Sequence, residues 1–399
     1  MGKLPREIIA EVLSWMRVKF LLRFRCVSKP WCSIIDSKDF VKLHLNHAGK
    51  TSSNCSLILD GLDDHFCLSL DSLNRIDIGS FPIENHIILN SCNGLVLLVS
   101  DKPLLWNPST RKVKKLPFTP VECPKGTEAY IREAFGFGYD SKNDDYKVVR
   151  VVEVRDANGR YLFSETKVYS LKSNLWTRVE DFPYILPNNK RVWGVHVNGA
   201  LHTVVQKCPH YGSSQSIIAF DVGTSELYEV PEMDLTGENI GISSVEAMGG
   251  CLTALLPKKM NTSEIWVMKE YGVKESWTKL LSFVPPVPEL YMGLCPLAYS
   301  ESGDKVLLDY DGRCLIWYDL RRQKASKIKS IRGYRQSLYA LDSLGPPFHA
   351  ELCVGSLVSL DSSSETDLTE KQKGQEKNKE KKIAKKRDDF LSAGFKLTL

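Results

Sequence analysis

The sequence predicts a small all-α N-terminal segment of three helices, then a large all-β domain of β-propeller-like build, then a disordered charged tail. Three observations carry this. Residues 4–45 show helical periodicity and a basic balance, with nine Lys/Arg against four Asp/Glu over residues 1–45. From about residue 54, short β-branched and aromatic runs alternate with Gly, Asn, Asp and Pro, and one pattern recurs about every 50 residues. Over 360–389 aromatic residues vanish and charges of both signs crowd together. The domains expected are 1–46, 54–350 and 360–399.

The first helix starts near Pro5, a residue favoured in a first helical turn. Ile8, Ile9, Val12, Leu13, Trp15 and Met16 then cover an arc of roughly 160°. A second helix is expected over about 18–28, with Phe20, Phe24 and Val27 on one side, Leu21 between, and Leu22 and Cys26 opposite. Pro30 breaks it, and Trp31, Ile34 and Ile35 continue on a third. Some forty residues cannot shelter this much apolar surface alone. Half a dozen such side chains left wet would forfeit on the order of 10 kcal/mol. The rest of the chain or another protein must cover them.

In the β region one class of repeat joins two apolar runs through a polar turn: "PLLWNPSTRKVKKLP" (103–117), "SIIAFDVGTSELYEVP" (216–231) and "CLIWYDLRRQKASKI" (314–328). A second class ends in tryptophan, at 166–179 and 263–280. Anchored on Asn107, Ser170, Asp221, Val267 and Asp319, the spacings are 63, 51, 46 and 52 residues. Glycine-turn strands precede the later units at 93–99, 198–204, 249–256 and 311–318. A period near 50 is the length of a kelch-like propeller blade, and the region holds about six. The first unit, 54–92, is the least regular, and a pair of β-sandwiches is the alternative. Trp106, Trp176, Trp193, Trp266, Trp277 and Trp317 fall in register with the strands and read as blade core.

The bulk numbers narrow the function. The net charge is +5, but the middle of the chain carries −2, which argues against a nucleic-acid-binding domain there. No apolar run is long enough to span a bilayer, so no membrane partner is expected. The start "MGKLPREII" lacks a secretory signal's apolar stretch, and Arg6 stands where a myristoylation pattern wants Ser or Thr. Eleven cysteines without a C-x-x-C suggest free thiols in a reducing compartment, cytoplasm or nucleus. The triplets at Asn54 and Asn261 would then go unglycosylated.

Motifs for chemistry are weak. "FGFGYD" (135–140) lacks the third glycine and the helix of a dinucleotide site, so its glycines read as close-packing positions. "YDSKNDDYK" (139–147) reads as a hairpin turn, not a calcium loop. His44 and His47 share a helix face without a third ligand nearby. No catalytic residue, cofactor or metal is expected.

The residues "LPREIIAEVLSWMRVKFLLRFRCVSKPWCSIIDSKDFVKLHL" (4–45) resemble an F-box of the plant type. The hallmarks are Leu4-Pro5, the Glu7-Ile8-Ile9 run, Val18-Lys19, "LLRFRCVSKPW" and "FVKLHL"; Arg17 stands where the family usually has proline. The resemblance implies a Skp1-like adaptor as partner and, through it, the cullin and RING subunits of a ubiquitin ligase. It places the adaptor contacts at Leu4, Pro5, Ile8, Val12, Leu13, Val18, Leu21, Leu22, Cys26, Val27 and Trp31. Arg23, Arg25 and Lys29 would steer toward an acidic surface. The segments "SCNGLVLL" (91–98), "LWNPSTRKVKKLP" (105–117), "FGFGYDSKNDDYKVVRV" (135–151), "VYSLKSNLWTRV" (168–179) and "LLDYDGRCLIWYDL" (307–320) resemble the F-box-associated domain of the same proteins. With "RDDFLSAGFKLTL" at the end, the defence-regulating "constitutive expresser of pathogenesis-related genes" type is the nearest resemblance, which implies a protein substrate in plant defence. The alternatives are a kelch-like scaffold without a ligase role and a propeller enzyme. In the tail, Lys381, Lys382, Lys385, Lys386 and Arg387 form a candidate nuclear-localisation cluster, and "FLSAGFKL" (390–397) is apolar enough to dock on the β body.

Overall fold

The computed structural model describes residues 4–49, 54–61, 65–76, 81–82, 86–100, 102–122, 129–186, 194–206, 215–233, 241–258, 262–285, 293–310, 312, 314–327 and 348–361. Trp193, the lysine cluster at 381–387 and the segment 390–397 lie outside these residues.

The N-terminal segment folds as four helices, one more than expected: α1 (Arg6–Ser14), α2 (Val18–Phe24), α3 (Lys29–Ile35) and α4 (Lys38–Ala48). The extra division follows from capping. Ser28 Oγ accepts the Trp31 N–H at the start of the third helix, which was expected, and Ser37 Oγ accepts the Phe40 N–H, so Ser37 starts the additional fourth. Pro30 does not break α2; it sits in the first turn of α3, where its missing N–H costs no bond. Arg17, at φ −62° and ψ 143°, holds the backbone geometry of a proline, so the departure at this position is accommodated without strain. Its side chain instead pairs with Asp71 at 2.5 Å.

The β region is a six-bladed propeller. Blade 1 contains β1 (Cys55–Gly61), β2 (His65–Ser69) and β3 (Arg75–Ile76); blade 2, β4 (Ile87–Cys92), β5 (Leu95–Val99), β6 (Pro103–Asn107) and β7 (Lys112–Lys115). Blade 3 has β8 (Ala129–Asp140), β9 (Asp145–Asp156), β10 (Tyr161–Ser170) and β11 (Leu175–Arg178); blade 4, β12 (Val195–Val197), β13 (Ala200–Gln206), β14 (Gln215–Asp221) and β15 (Leu227–Glu229). Blade 5 has β16 (Ser244–Met248), β17 (Cys251–Pro257), β18 (Ser263–Met268) and β19 (Trp277–Phe283); blade 6, β20 (Leu294–Tyr299), β21 (Lys305–Tyr310), β22 (Cys314–Asp319) and β23 (Lys324–Lys327). β24 (Phe348–Val354) completes blade 1 by pairing antiparallel with β1, from Cys55 opposite Val354 to Gly61 opposite Phe348. The first strands β24, β4, β8, β12, β16 and β20 touch in that cyclic order, so the ring closes and the sandwich alternative falls.

The repeat anchors mark one structural position. Asn107, Ser170, Asp221 and Asp319 each end the third strand of a blade, and Val267 stands one residue before that end. Four of these side chains cap the turn that follows: Asn107 Oδ1 accepts from the N–H groups of Ser109 and Thr110, Ser170 Oγ from Ser173, Asp221 from Gly223 and Thr224, Asp319 from Arg321 and Arg322. The residue four positions on takes positive φ in each case: Arg111, Asn174, Ser225 and Gln323. Asp140 and Asp144 repeat the device between β8 and β9, which makes "YDSKNDDYK" the hairpin expected.

Two boundaries move. Residues 87–92 belong to blade 2, not to the first unit. The propeller extends past 350, because β24 runs to Val354 and the chain then packs on blade 2. Asn107 Nδ2 donates to the carbonyls of Ser356 and Val358, and Val358 and Leu360 enter the core between blades 2 and 3.

Of the tryptophans, Trp106 and Trp277 are buried and Trp176, Trp266 and Trp317 half-buried. The indoles of Trp176 and Trp277 each donate to a proline carbonyl that follows the outer strand of the preceding blade, Pro117 and Pro231. They therefore tie blades together as well as filling them. Gly138 is a close-packing position as expected: a Cβ there would lie 2.5 Å from His196 Cδ2.

Candidate adaptor-binding surface

Propeller geometry gives the molecule two unlike faces. Turns between the first and second, and third and fourth, strands of each blade lie on one face; the connections between blades lie on the other. β1 begins on the short-turn face, so the helices attach there. Val41 and Leu45 of α4 pack on the core between blades 2 and 3, Lys42 pairs with Asp144 at 2.9 Å, and Arg17 reaches Asp71 in blade 1. Leu357, just past the closing strand, packs into the helical core.

That core consists of Leu13, Leu21, Ile34, Ile35 and Phe40, flanked by Ile9, Ala10, Phe24 and Trp31. It divides the wide apolar arc of α1. Ile9 and Leu13 turn inward, whereas Ile8, Val12 and Trp15 face solvent. Leu4, Met16, Phe20 and Val27 join them, giving seven large apolar side chains between 37% and 67% exposed. Among the described residues, the propeller covers none of these seven. About half of each is already sheltered, so finishing their burial is worth roughly 5–10 kcal/mol before association costs.

The positions named from the resemblance separate three ways. Leu4, Pro5, Ile8, Val12, Cys26 and Val27 are exposed, and Leu22 and Trp31 are half-buried. Leu13, Val18 and Leu21 are corrected: they are buried in this chain and cannot present themselves to a partner. Leu13 and Leu21 fill the helical core, and Val18 lies against Gly355 beneath it. Trp15, Met16 and Phe20 are exposed instead and were missed, although Trp15 and Met16 continue the helical spacing from Ile8 and Val12. The rim is basic: Arg6, Lys19, Arg23 and Lys29 are all exposed. Arg25 is held by Asp36 at 2.7 Å, a contact that raises its pKa further and withdraws it from the steering set.

The histidines of the helices are structural. His44 is buried with Nε2 3.0 Å from the Met16 carbonyl, and burial lowers its pKa. His47 stacks on Trp15 at 4.0 Å and shares a 2.8 Å contact with Ser14 Oγ. In the propeller, Cys92 and His196 approach to 3.6 Å, the arrangement of a nucleophile and its base. Burial pushes the thiol up to about 12 and the imidazole down, so both are neutral and no thiolate forms near pH 7.

Comparison with known proteins agrees with this division. Residues 1–43 match the F-box domain, and residues 55–360 match the F-box associated beta propeller domain. The Arabidopsis thaliana F-box protein CPR1 is 31% identical over the full length of both chains. An F-box/kelch-repeat protein of the same plant is 31% identical over 77% of this chain and 85% of its own. Among solved structures, an oligogalacturonate lyase in complex with manganese superposes at a TM-score of 0.43 with 11% identity, over 72% of this chain and 77% of that one.

Proposed function

The chain belongs to the F-box proteins that carry an F-box associated β-propeller domain, and on that premise we propose that it is the substrate receptor of a Skp1–cullin–F-box ubiquitin ligase. The carrying observation is the apolar surface of α1, α2 and the turn after α2, from Leu4 to Val27, which the chain's own propeller leaves open. A Skp1-like adaptor closes it, and the basic rim favours an acidic partner. The chain contributes proximity; the bond-forming chemistry belongs to the other subunits. A tethered target reaches an effective concentration on the order of millimolar.

The target is held on the face opposite the helices. Blade 3 supports this, because β8 and β9 have 12 residues and β10 has 10, whereas the strands of other blades have 2–7. The extra five residues project about 16 Å beyond the ring on the interblade face. The projection exposes Tyr130, Ile131, Tyr161 and Leu162. Its base is braced by Glu153, a buried carboxylate that accepts from Arg132 at 3.2 Å, from Arg155, and from the Leu186 N–H at 2.8 Å.

Replacing Leu4 and Pro5 together by alanine tests the adaptor contact. The expected result is loss of co-purification with a Skp1-like adaptor while circular dichroism shows an intact β domain; retained co-purification would leave a scaffold without ligase role as the better reading. Targets would be sought with a chain lacking residues 1–45, which holds them without delivering them for degradation, and regulators of plant defence are the class anticipated.

A further inference from the structure

On the interblade face of blade 1, three segments bring metal-ligating atoms together. Asp60 stands next to last in β1, His65 opens β2 and His86 immediately precedes β4. Asp60 Oδ1 lies 2.6 Å from His65 Nδ1 and 3.7 Å from His86 Nε2, and all three donors fall within 4.8 Å of one another. The shorter approach is not a hydrogen bond. His65 Nδ1 is buried, and among the described residues it has no partner of hydrogen-bond geometry. Two ligating atoms therefore meet in a close ion-pair contact outside hydrogen-bond geometry.

The surroundings hold these groups in place. Asp60 Oδ2 accepts from the Ile88 N–H at 3.4 Å, which leaves Oδ1 for the two rings. Phe81 stacks on His86 at 5.2 Å, lies 4.9 Å from His65 and backs onto the buried Trp106 at 5.0 Å. The side chain of His86 is fully buried and that of Asp60 only 10% exposed, while His65 keeps 30% open to solvent. Bonds of about 2.0–2.2 Å in tetrahedral geometry set neighbouring donors about 3.3–3.5 Å apart. The two Asp60 distances, 2.6 and 3.7 Å, bracket that spacing, and no donor pair is more than 4.8 Å apart, so shifts of about an ångström would seat an ion. Two imidazoles and one carboxylate suit zinc, cobalt, nickel or copper rather than calcium or magnesium.

We propose that Asp60, His65 and His86 bind one divalent transition-metal ion of zinc type. Three ligands come from the protein, and the remaining position, on the side of the more exposed His65, is open to water or to a donor from a docked protein. The ion would clamp the β1–β2 hairpin to the segment that leads into blade 2, and so fix part of the rim that faces the target. The proposal does not depend on the ligase reading.

The test uses the tag-free full-length chain, stripped of metal by chelator and titrated with Co²⁺. One equivalent should produce visible d–d bands of four- or five-coordinate cobalt and raise the thermal midpoint, since the ion binds only the folded state. Zn²⁺ should bleach those bands. His65→Ala and, separately, the near-isosteric Asp60→Asn should weaken Co²⁺ binding at least about tenfold and remove the thermal shift. Both variants should keep the metal-free circular dichroism spectrum, because neither side chain fills a core cluster. Absence of the bands in the unmodified chain would overturn the proposal. So would equal binding in both variants, which would put the ion on other thiols or imidazoles.

Discussion

Asn107 links the repeat turn to ring closure, and its replacement has a calculable effect. The side chain is fully buried and makes four hydrogen bonds. Oδ1 accepts from Ser109 and Thr110 at 3.0 and 3.1 Å, as in other blades. Nδ2 donates to the carbonyls of Ser356 and Val358 at 3.2 and 2.9 Å, which only this blade does among the described turns, because the closing segment runs past it. Asn107→Ala leaves two buried carbonyls unsatisfied at about 1 kcal/mol each and loosens two turn amides at about 0.5 kcal/mol each, or about 3 kcal/mol in all. Asp319 caps the corresponding turn of blade 6 through Oδ1 alone, so Asp319→Ala should cost about 1 kcal/mol. Asn107→Asp keeps the turn acceptor but faces two carbonyls with a carboxylate, and should be at least as damaging as alanine. Urea unfolding followed by circular dichroism and tryptophan fluorescence measures all three. If Asn107→Ala costs no more than Asp319→Ala, the closing segment is not held as described.

Other expectations concern packing, pH and target capture. His202 is buried between the Val195 carbonyl and Tyr271 Oη at 2.6 Å, and burial lowers its pKa to about 4. Between pH 6.5 and 4 the unfolded chain takes up this proton and the folded one does not. Stability from this group is therefore complete above pH 6.5 and falls by about 3 kcal/mol as pH drops to 4. His202→Gln should flatten that part of the stability–pH profile, and an unchanged slope would count against a neutral buried ring. Gly138→Ala should lower the thermal midpoint through about 1–3 kcal/mol of overpacking against His196, and a neutral result would mean the contact is looser than drawn. Tyr130→Ala with Tyr161→Ala should reduce target capture in pull-downs without altering the midpoint, since both rings are exposed; capture that persists would move the target site off blade 3.

Much of this fold was written in local chemistry. Asn107, Ser170, Asp221 and Asp319 stand out because a polar cap must end each third strand before a tight turn, a requirement visible within five residues. The closing strand is different: β24 pairs with β1 across nearly 300 residues, and Cys55 opposite Val354 leaves no mark in either segment alone. The F-box helices fall between. Their periodicity shows more apolar surface than one contact needs, but which side is inside depends on α3 and α4, so Val12 and Leu13, adjacent in sequence, have opposite fates. Four helices stand where three are expected because Ser37 caps a new start just past Ile35. Asp60, His65 and His86 were invisible as a group, since His86 arrives from the next blade and the spacing matches no metal motif.

The central claim is that the open apolar surface of α1 and α2 is an adaptor site. Val12 is 58% exposed at its centre and outside the helical core, so Val12→Glu should leave the thermal midpoint unchanged. Burying the new charge in an apolar contact would cost at least about 3 kcal/mol, or roughly a hundredfold in affinity. Calorimetric titration of a Skp1-like adaptor into the unmodified and Val12→Glu chains measures it directly: a hundredfold loss with intact folding is the predicted result, and equal affinity for the two chains would contradict it.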